Sequence, residues 1–166
     1  MNPVFIRRSI RKFTPGPISG EQLDLLLKAG LCAPSARNRQ PWHFIAVTER
    51  EQLDRIPHYH PYASMVLEAS LAILVCGDLE IEDEIGYIAQ NCSAATENIL
   101  VTAADLGLGS VWLGVYPKED RIQGMKTLFK LPDHILPVSL IAIGHPAEQK
   151  PPKSDFNWEK VRYNQW

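Results

Sequence analysis

Two stretches of the chain are apolar almost throughout, in two different patterns. Residues 69–77, Ala-Ser-Leu-Ala-Ile-Leu-Val-Cys-Gly, run apolar for the length of a single strand, as expected of a strand covered on both faces. Residues 85–106 instead spread Ile88, Ala89, Cys92, Ala95, Ile99, Leu100 and Ala103 around nearly the whole helical wheel, which predicts a long central helix packed on several sides. Elsewhere the pattern is one-sided. Ser19 and Gln22 form a capping-box signature ahead of Leu23, Leu26, Leu27 and Gly30 at helical spacing, and Ala33-Pro34-Ser35 ends that helix. Residues 42–48, 110–116 and 137–144 read as strands, 49–56 as a polar helix and 117–129 as a helix opened by Pro117. Residues 2–8 fit a short helix, residues 10–13 favour extended chain, and Thr14-Pro15-Gly16-Pro17 is a breaker. Strands and helices do not alternate regularly. The order therefore predicts an α+β sandwich with helices around a small central sheet.

No fixed repeat and no Gly/Ser-rich linker divides the 166 residues, so residues 1–166 read as one domain. After Pro146 the pattern changes. Residues 148–166 are polar yet hold Phe156, Trp158, Tyr163 and Trp166, and disordered tails are poor in aromatics. An arm packed on another surface fits this composition, as does a segment folded back on its own subunit. A net charge of -2 gives no global field for nucleic acid or an anionic membrane, so any anion site must come from local clustering. The N-terminus has no apolar run suited to a signal peptide, and residues 71–77 are too short to span a bilayer. Cys32, Cys76 and Cys92 are odd in number and lack metal-ligand spacing, which fits reduced thiols in a cytoplasmic protein.

Three constellations carry candidate chemistry. Arg7, Arg8, Arg11 and Lys12 surround Ser9, and such a cluster suits a phosphate through forked, charge-assisted bonds and a hydroxyl donor. A solvated basic face is the alternative. Residues 33–42, Ala-Pro-Ser-Ala-Arg-Asn-Arg-Gln-Pro-Trp, are dense in short polar side chains. The amides of Asn38 and Gln40 match a heterocycle edge, although Ser35 and Asn38 could equally cap helices and Trp42 belong to the core. Residues 107–114, Gly-Leu-Gly-Ser-Val-Trp-Leu-Gly, contain Gly-x-Gly, but it follows a helix and opens a strand, the reverse of the dinucleotide-binding fingerprint. Its glycines serve better as a helix stop and a close approach for a ligand. No hydrolase elbow, Walker sequence or zincin motif is present. His58 and His60 read as loop histidines, Cys92 as a core residue and the acidic residues 78–84 as a solvated loop. No metal site is expected.

Together, Arg-Arg-Ser-Ile-Arg-Lys-Phe at 7–13, Pro-Ser-Ala-Arg-Asn-Arg-Gln-Pro-Trp at 34–42, Ala-Ala-Asp-Leu-Gly-Leu-Gly-Ser-Val-Trp-Leu-Gly at 103–114 and the closing Val-Arg-Tyr-Asn-Gln-Trp resemble the nitroreductase family, in order and spacing over nearly the whole chain. The resemblance implies a sandwich of a small mixed sheet and helices, forming a homodimer with an FMN in each of two interfacial sites. It also implies that residues 147–166 form an arm exchanged with the partner. By position, Arg7 or Arg8 with Ser9 would hold the flavin phosphate and ribityl chain, with Arg11 near the pyrimidine end. Pro34, Ser35, Ala36 and Asn38 would reach the flavin from the other subunit, and Gln40 is counted with them among the cofactor-binding residues. The backbone of Trp112, Leu113 and Gly114 would pass the N5 side, Gly114 N–H donating, and Lys153 matches a phosphate-binding cation. Asp155 stands where some relatives carry a second basic residue, which weakens that half of the phosphate site. The implied activity is transfer of a hydride from NADH or NADPH through the flavin to nitroaromatics, quinones or similar flat acceptors. Dehalogenation, flavin fragmentation or FMN storage on the same fold are the alternatives. Neither nucleic acid nor a membrane is an implied partner.

Overall fold

Strand β3 (Leu71–Asp78) is buried at every position, and the rest of the chain is arranged to cover it. In this computed structural model, which describes residues 2–166, β3 lies between β2 (Trp42–Val47) and β5 (Ile135–Pro146). The opposite edge of β5 pairs with β4 (Gly109–Gly114), and the end of β5 pairs with β1 (Phe13–Thr14). All of these pairings are antiparallel. The mixed character expected of the sheet is confined, among the described residues, to one parallel bridge between Ser9 and Ser110.

Side chains alternate across the sheet, and each face has its own core. Leu71, Ile73 and Val75 join Leu26 of α2 (Gly20–Leu31) and Ile88, Ala95 and Ile99 of α4 (Ile85–Asp105). Ala72, Leu74 and Cys76 join Leu53 of α3 (Arg50–Arg55) and Met125 of α5 (Glu119–Phe129) on the other face. Each fully buried Leu or Ile contributes about 1.5–3 kcal/mol relative to exposure, so covering both faces explains why residues 69–77 carry no polar alternation. α4 lies directly on β3 because Gly77 has no side chain: a Cβ there would sit 2.4 Å from Ile88 Cγ2. The buried Thr96 hydroxyl is satisfied by the Cys92 carbonyl and Ser139 Oγ, each at 2.7 Å. Burial pushes the thiols of Cys76 and Cys92 up to about 12, so both are inert packing groups.

The capping box forms as the sequence predicts. Ser19 Oγ accepts from the Gln22 N–H at 3.1 Å and Gln22 Oε1 from the Ser19 N–H at 3.0 Å. The helix expected over 2–8 is a single turn, α1 (Pro3–Ile6), capped by Asn2. The helix expected over 49–56 ends at Arg55 and tightens into a 3₁₀ turn at Ile56–His58, where Pro57 removes a donor. Beyond Lys150 the chain is exposed throughout. Its first part folds back on its own subunit: the Lys153 N–H donates to the Phe5 carbonyl at 2.9 Å, and the Phe156 ring meets Phe5 edge-on at 6.0 Å. Trp158, Tyr163 and Trp166 then point outward, Trp166 fully exposed. Among the described residues no helix is long and apolar enough to cross a membrane.

Candidate functional site

The N-terminal segment is tied to the edge of the sheet. Ser9 bridges Ser110, and the Ile10 N–H donates to the Ser110 carbonyl at 2.9 Å. This brings Arg7, Arg8, Ser9 and Arg11 around a cavity of about 390 Å³ together with Val4, Lys150 and Lys153. Lys150 is an addition to the expected set. It lies in a polar stretch without periodicity, and only its spacing from Lys153 across Pro151-Pro152 hints at it. The cations are unevenly compensated. Arg7 Nε pairs with Glu97 at 3.1 Å, and Lys150 Nζ sits 3.5 Å from Glu148 and 2.5 Å from the Ser9 carbonyl. Arg8 donates to the Pro151 carbonyl. Among the described residues the Arg11 guanidinium and the Lys153 ammonium have no partner. The Arg11 backbone N–H donates to Glu148 at 2.6 Å, which, with Lys150 nearby, holds the Glu148 carboxyl below the usual carboxylate range. Asp155 is not part of the cavity wall.

Arg11 and Phe13 do not share an inward face as strand alternation over 10–13 would require. Ser9 and Ile10 pair with β4 while pairing with β5 begins only at Phe13, so the chain between them is not one strand: Ile10 and Phe13 are buried while Arg11 and Lys12 are both exposed. Arg11 reaches the cavity from its rim. A smaller cleft of about 150 Å³ shares Arg8 and Lys150 with that cavity and extends to Gly109 and Ser110 at the start of β4.

Along β4, backbone groups alternate in direction. Because the Ser110 carbonyl faces Ile10, those of Trp112 and Gly114 also turn away from β5. Gly114 agrees: its carbonyl accepts from His60 Nε2 at 2.9 Å and Arg121 Nη1 at 2.8 Å. A Cβ on Gly114 would meet nothing within 4 Å, and its backbone is not left-handed, so packing within the chain gives no reason for a glycine. Trp112 packs toward the α4 side and Leu113 into the opposite core. His60 lies in a loop, as its HYHPY setting suggested, but not at the surface. It is buried, and its tautomer is fixed, since Nε2 donates to Gly114 while Nδ1 accepts from the Tyr62 N–H at 3.3 Å. Burial, then the Arg121 guanidinium, lowers its pKa against the opposing Gly114 contact. No periodic signal marks His60. Arg121 also lies over the Tyr62 ring at 5.1 Å. Gly107, with φ +72, stops α4 as the sequence implied.

The loop carrying Pro34, Ser35, Ala36, Asn38 and Gln40 is apart from the cavity: none of its residues lines it. Arg37, Asn38 and Gln40 have φ of 54, 54 and 50, left-handed positions that cost roughly 1–2 kcal/mol per non-glycine residue. The Ala36 N–H donates to Asn91 Oδ1 at 3.1 Å, the Gln40 N–H to Ser35 Oγ at 2.9 Å and Gln40 Nε2 to Asn38 Oδ1 at 3.2 Å. Arg37 and Arg39 each reach the Glu82 carboxylate at 3.3 Å. Trp42 is a core residue. The expectation of a solvated acidic loop over 78–84 fails at Glu82, which is completely buried, and at Asp78. Asp78, Glu80 and His134 bring donor atoms within 4.8 Å of one another, and Asp78 is also 3.3 Å from His43.

The Nitroreductase family model matches residues 5–63 and 58–145. A protein of Methanothermobacter thermautotrophicus with the provisional name NADH dehydrogenase/NAD(P)H nitroreductase is 46% identical over 160 residues, covering 96% of this chain and 84% of its own. A Clostridium acetobutylicum crystal structure provisionally named NADH oxidase superposes with a TM-score of 0.95 at 35% identity over 99% of both chains. A provisionally named nitroreductase from Desulfovibrio desulfuricans, crystallised in complex with FMN, gives a TM-score of 0.85 at 31% identity over 99% of this chain and 95% of that one.

Proposed function

The chain belongs to the nitroreductase family, and from that premise we propose that it is an FMN-dependent oxidoreductase that uses NADH or NADPH to reduce nitroaromatics, quinones or similar flat acceptors. One observation carries the reading: a cavity whose wall holds Arg7, Arg8, Arg11, Lys150 and Lys153 beside Ser9, with the Arg11 guanidinium and the Lys153 ammonium unpaired among the described residues. Such a donor set fits a dianionic phosphate ester, and it distinguishes FMN from riboflavin. Arg8, Ser9, Lys150 and Lys153 hold the phosphate, with Arg7 shared with Glu97. Arg11, at the rim, offsets negative charge on the reduced ring. Trp112, Leu113 and Gly114 supply the backbone edge for the ring, and the missing Cβ at Gly114 leaves that edge open. Bound there, FMN supplies the redox chemistry, accepting two electrons from the nicotinamide and passing them to the acceptor.

Pro34, Ser35, Ala36, Asn38 and Gln40 complete the site from a second copy, since in their own chain they lie apart from the cavity. Residues 1–166 act as one unit, and the arm over 147–166, with Trp158, Tyr163 and Trp166 exposed, reaches that second copy. The working form is then a cytoplasmic homodimer with two sites. Heat-released cofactor should be FMN, the protein should sediment as a dimer, and NADH or NADPH should be consumed steadily with an added quinone. FAD, or no flavin after reconstitution, would sink the reading. Bound FMN without turnover would make the protein a flavin store.

A further inference from the structure

Glu82 is a carboxylate with no access to solvent, yet both of its strong partners come from one short, strained loop. Arg37 Nη2 lies 3.3 Å from each of its oxygens and Arg39 Nη1 3.3 Å from Oε1. Arg39 also donates to the Ile81 carbonyl at 3.1 Å, and Glu82 Oε1 accepts from the Glu84 N–H at 3.2 Å. The carboxylate therefore fastens the loop to the chain entering α4. Arg37 itself, Asn38 between the two arginines and Gln40 after them are all left-handed, a shape that local backbone preference opposes. Asn91 of α4 makes the second attachment through the Ala36 N–H, and its buried Nδ2 has no partner among the described residues. Only the carboxylate of this Arg-Glu-Arg group is buried, both arginines staying partly solvated, and taking a charge out of water makes such a group a poor source of net stability compared with apolar packing. What it provides is one fixed geometry.

We propose that Glu82 is a positioning residue, holding residues 35–40 in the shape that presents Ser35, Ala36 and Asn38 to a flavin bound mainly by a second copy of the chain. The presentation rests on the flavin reading above, whereas the clamp itself does not. Glu82→Gln keeps the shape and removes the charge, and two measurements follow. In flavin-free protein, trypsin cuts after Arg37 and Arg39 only when the loop opens, and the variant should be nicked there about tenfold faster. In reconstituted protein, FMN should bind about tenfold more weakly, with a changed visible absorption envelope, while the thermal midpoint of the flavin-free form shifts little.

Unchanged nicking would overturn the clamp. Faster nicking with unchanged FMN affinity and spectrum would overturn the presentation and leave a merely structural ion pair. Wild-type protein that binds no FMN would sink the flavin reading and the presentation with it, and the nicking rate would still decide whether Glu82 holds the loop. Should Glu82→Gln fail to fold, Arg37→Lys with Arg39→Lys asks the same question from the solvent side, keeping both charges and losing the forked contact.

Discussion

Two short segments of this chain are rich in arginine and meet opposite fates. Around Ser9, Arg7, Arg8 and Arg11 converge with Lys150 and Lys153 on a cavity, with Glu97 and Glu148 as partial counter-charges at its margin. Around Asn38, Arg37 and Arg39 are drawn onto the buried carboxylate of Glu82. In the proposed function the first segment keeps positive charge for a ligand, and in the proposed clamp the second uses it to shape the backbone. Counting cations does not separate a binding site from a brace. The location of the nearest carboxylate does.

The contrast breaks most visibly when each side loses its charge. Arg8→Met with Lys150→Met removes two charge-assisted contacts, each worth about 1.5–3 kcal/mol, so FMN affinity should fall by roughly 100-fold or more while riboflavin affinity barely moves. Arg37→Met with Arg39→Met should weaken FMN and riboflavin alike and lower stability by about 1–3 kcal/mol, less than a fully buried pair because both arginines are partly solvated. Titration of both flavins into both variants, with denaturant melts, checks the pair. Gly114→Ala sharpens the ligand side further. The added methyl finds open space, so the fold should be unharmed while both flavins bind roughly tenfold more weakly, and a stability loss instead would mean packing required the glycine.

Smaller effects follow at the rim. Arg11→Met should lower the flavin midpoint potential by about 20–60 mV, on about 1.4 kcal/mol per 30 mV for a two-electron couple, and cost less FMN affinity than Arg8→Met. Lost affinity at an unchanged potential would make Arg11 another phosphate contact. His60 gives the mildest signal. Its pKa is lowered in the fold by burial, so from about 6.5 downward the unfolded chain takes up its proton first and stability falls as pH falls, flattening only below the folded value. The thermal midpoint should therefore drop more steeply between about pH 7 and 5 in the wild type than in His60→Gln, and parallel curves would contradict this.

The sandwich was legible because its strongest signals are the ones burial enforces. The continuous apolar run of β3 and the all-round apolar pattern of α4 leave few alternatives, and the Ser19–Gln22 capping box is a local signature needing no tertiary context. The site was legible only where residues cluster in sequence. Arg7, Arg8, Ser9 and Arg11 lie within five residues, but Lys150 joins them across the fold, and only its spacing from Lys153 hints at it. Glu82 reads as one acid among several because the two arginines that bond its carboxylate lie some 45 residues away. His60 was hidden for the same reason, its partner being the Gly114 carbonyl. Arg11 departs from strand alternation because two residues of pairing with β5, Phe13–Thr14, do not make a strand out of residues 10–13.

The central claim is that the N-terminal cavity exists to hold the phosphate of a flavin. It is tested most directly by titrating the flavin-free wild-type protein with FMN and with riboflavin in the same buffer. The two ligands share the ring and the ribityl chain and differ only in that phosphate. With several cations converging on it, FMN should bind at least about 100-fold more tightly, and the ratio should shrink as salt is raised. Equal affinities at low salt would contradict the account.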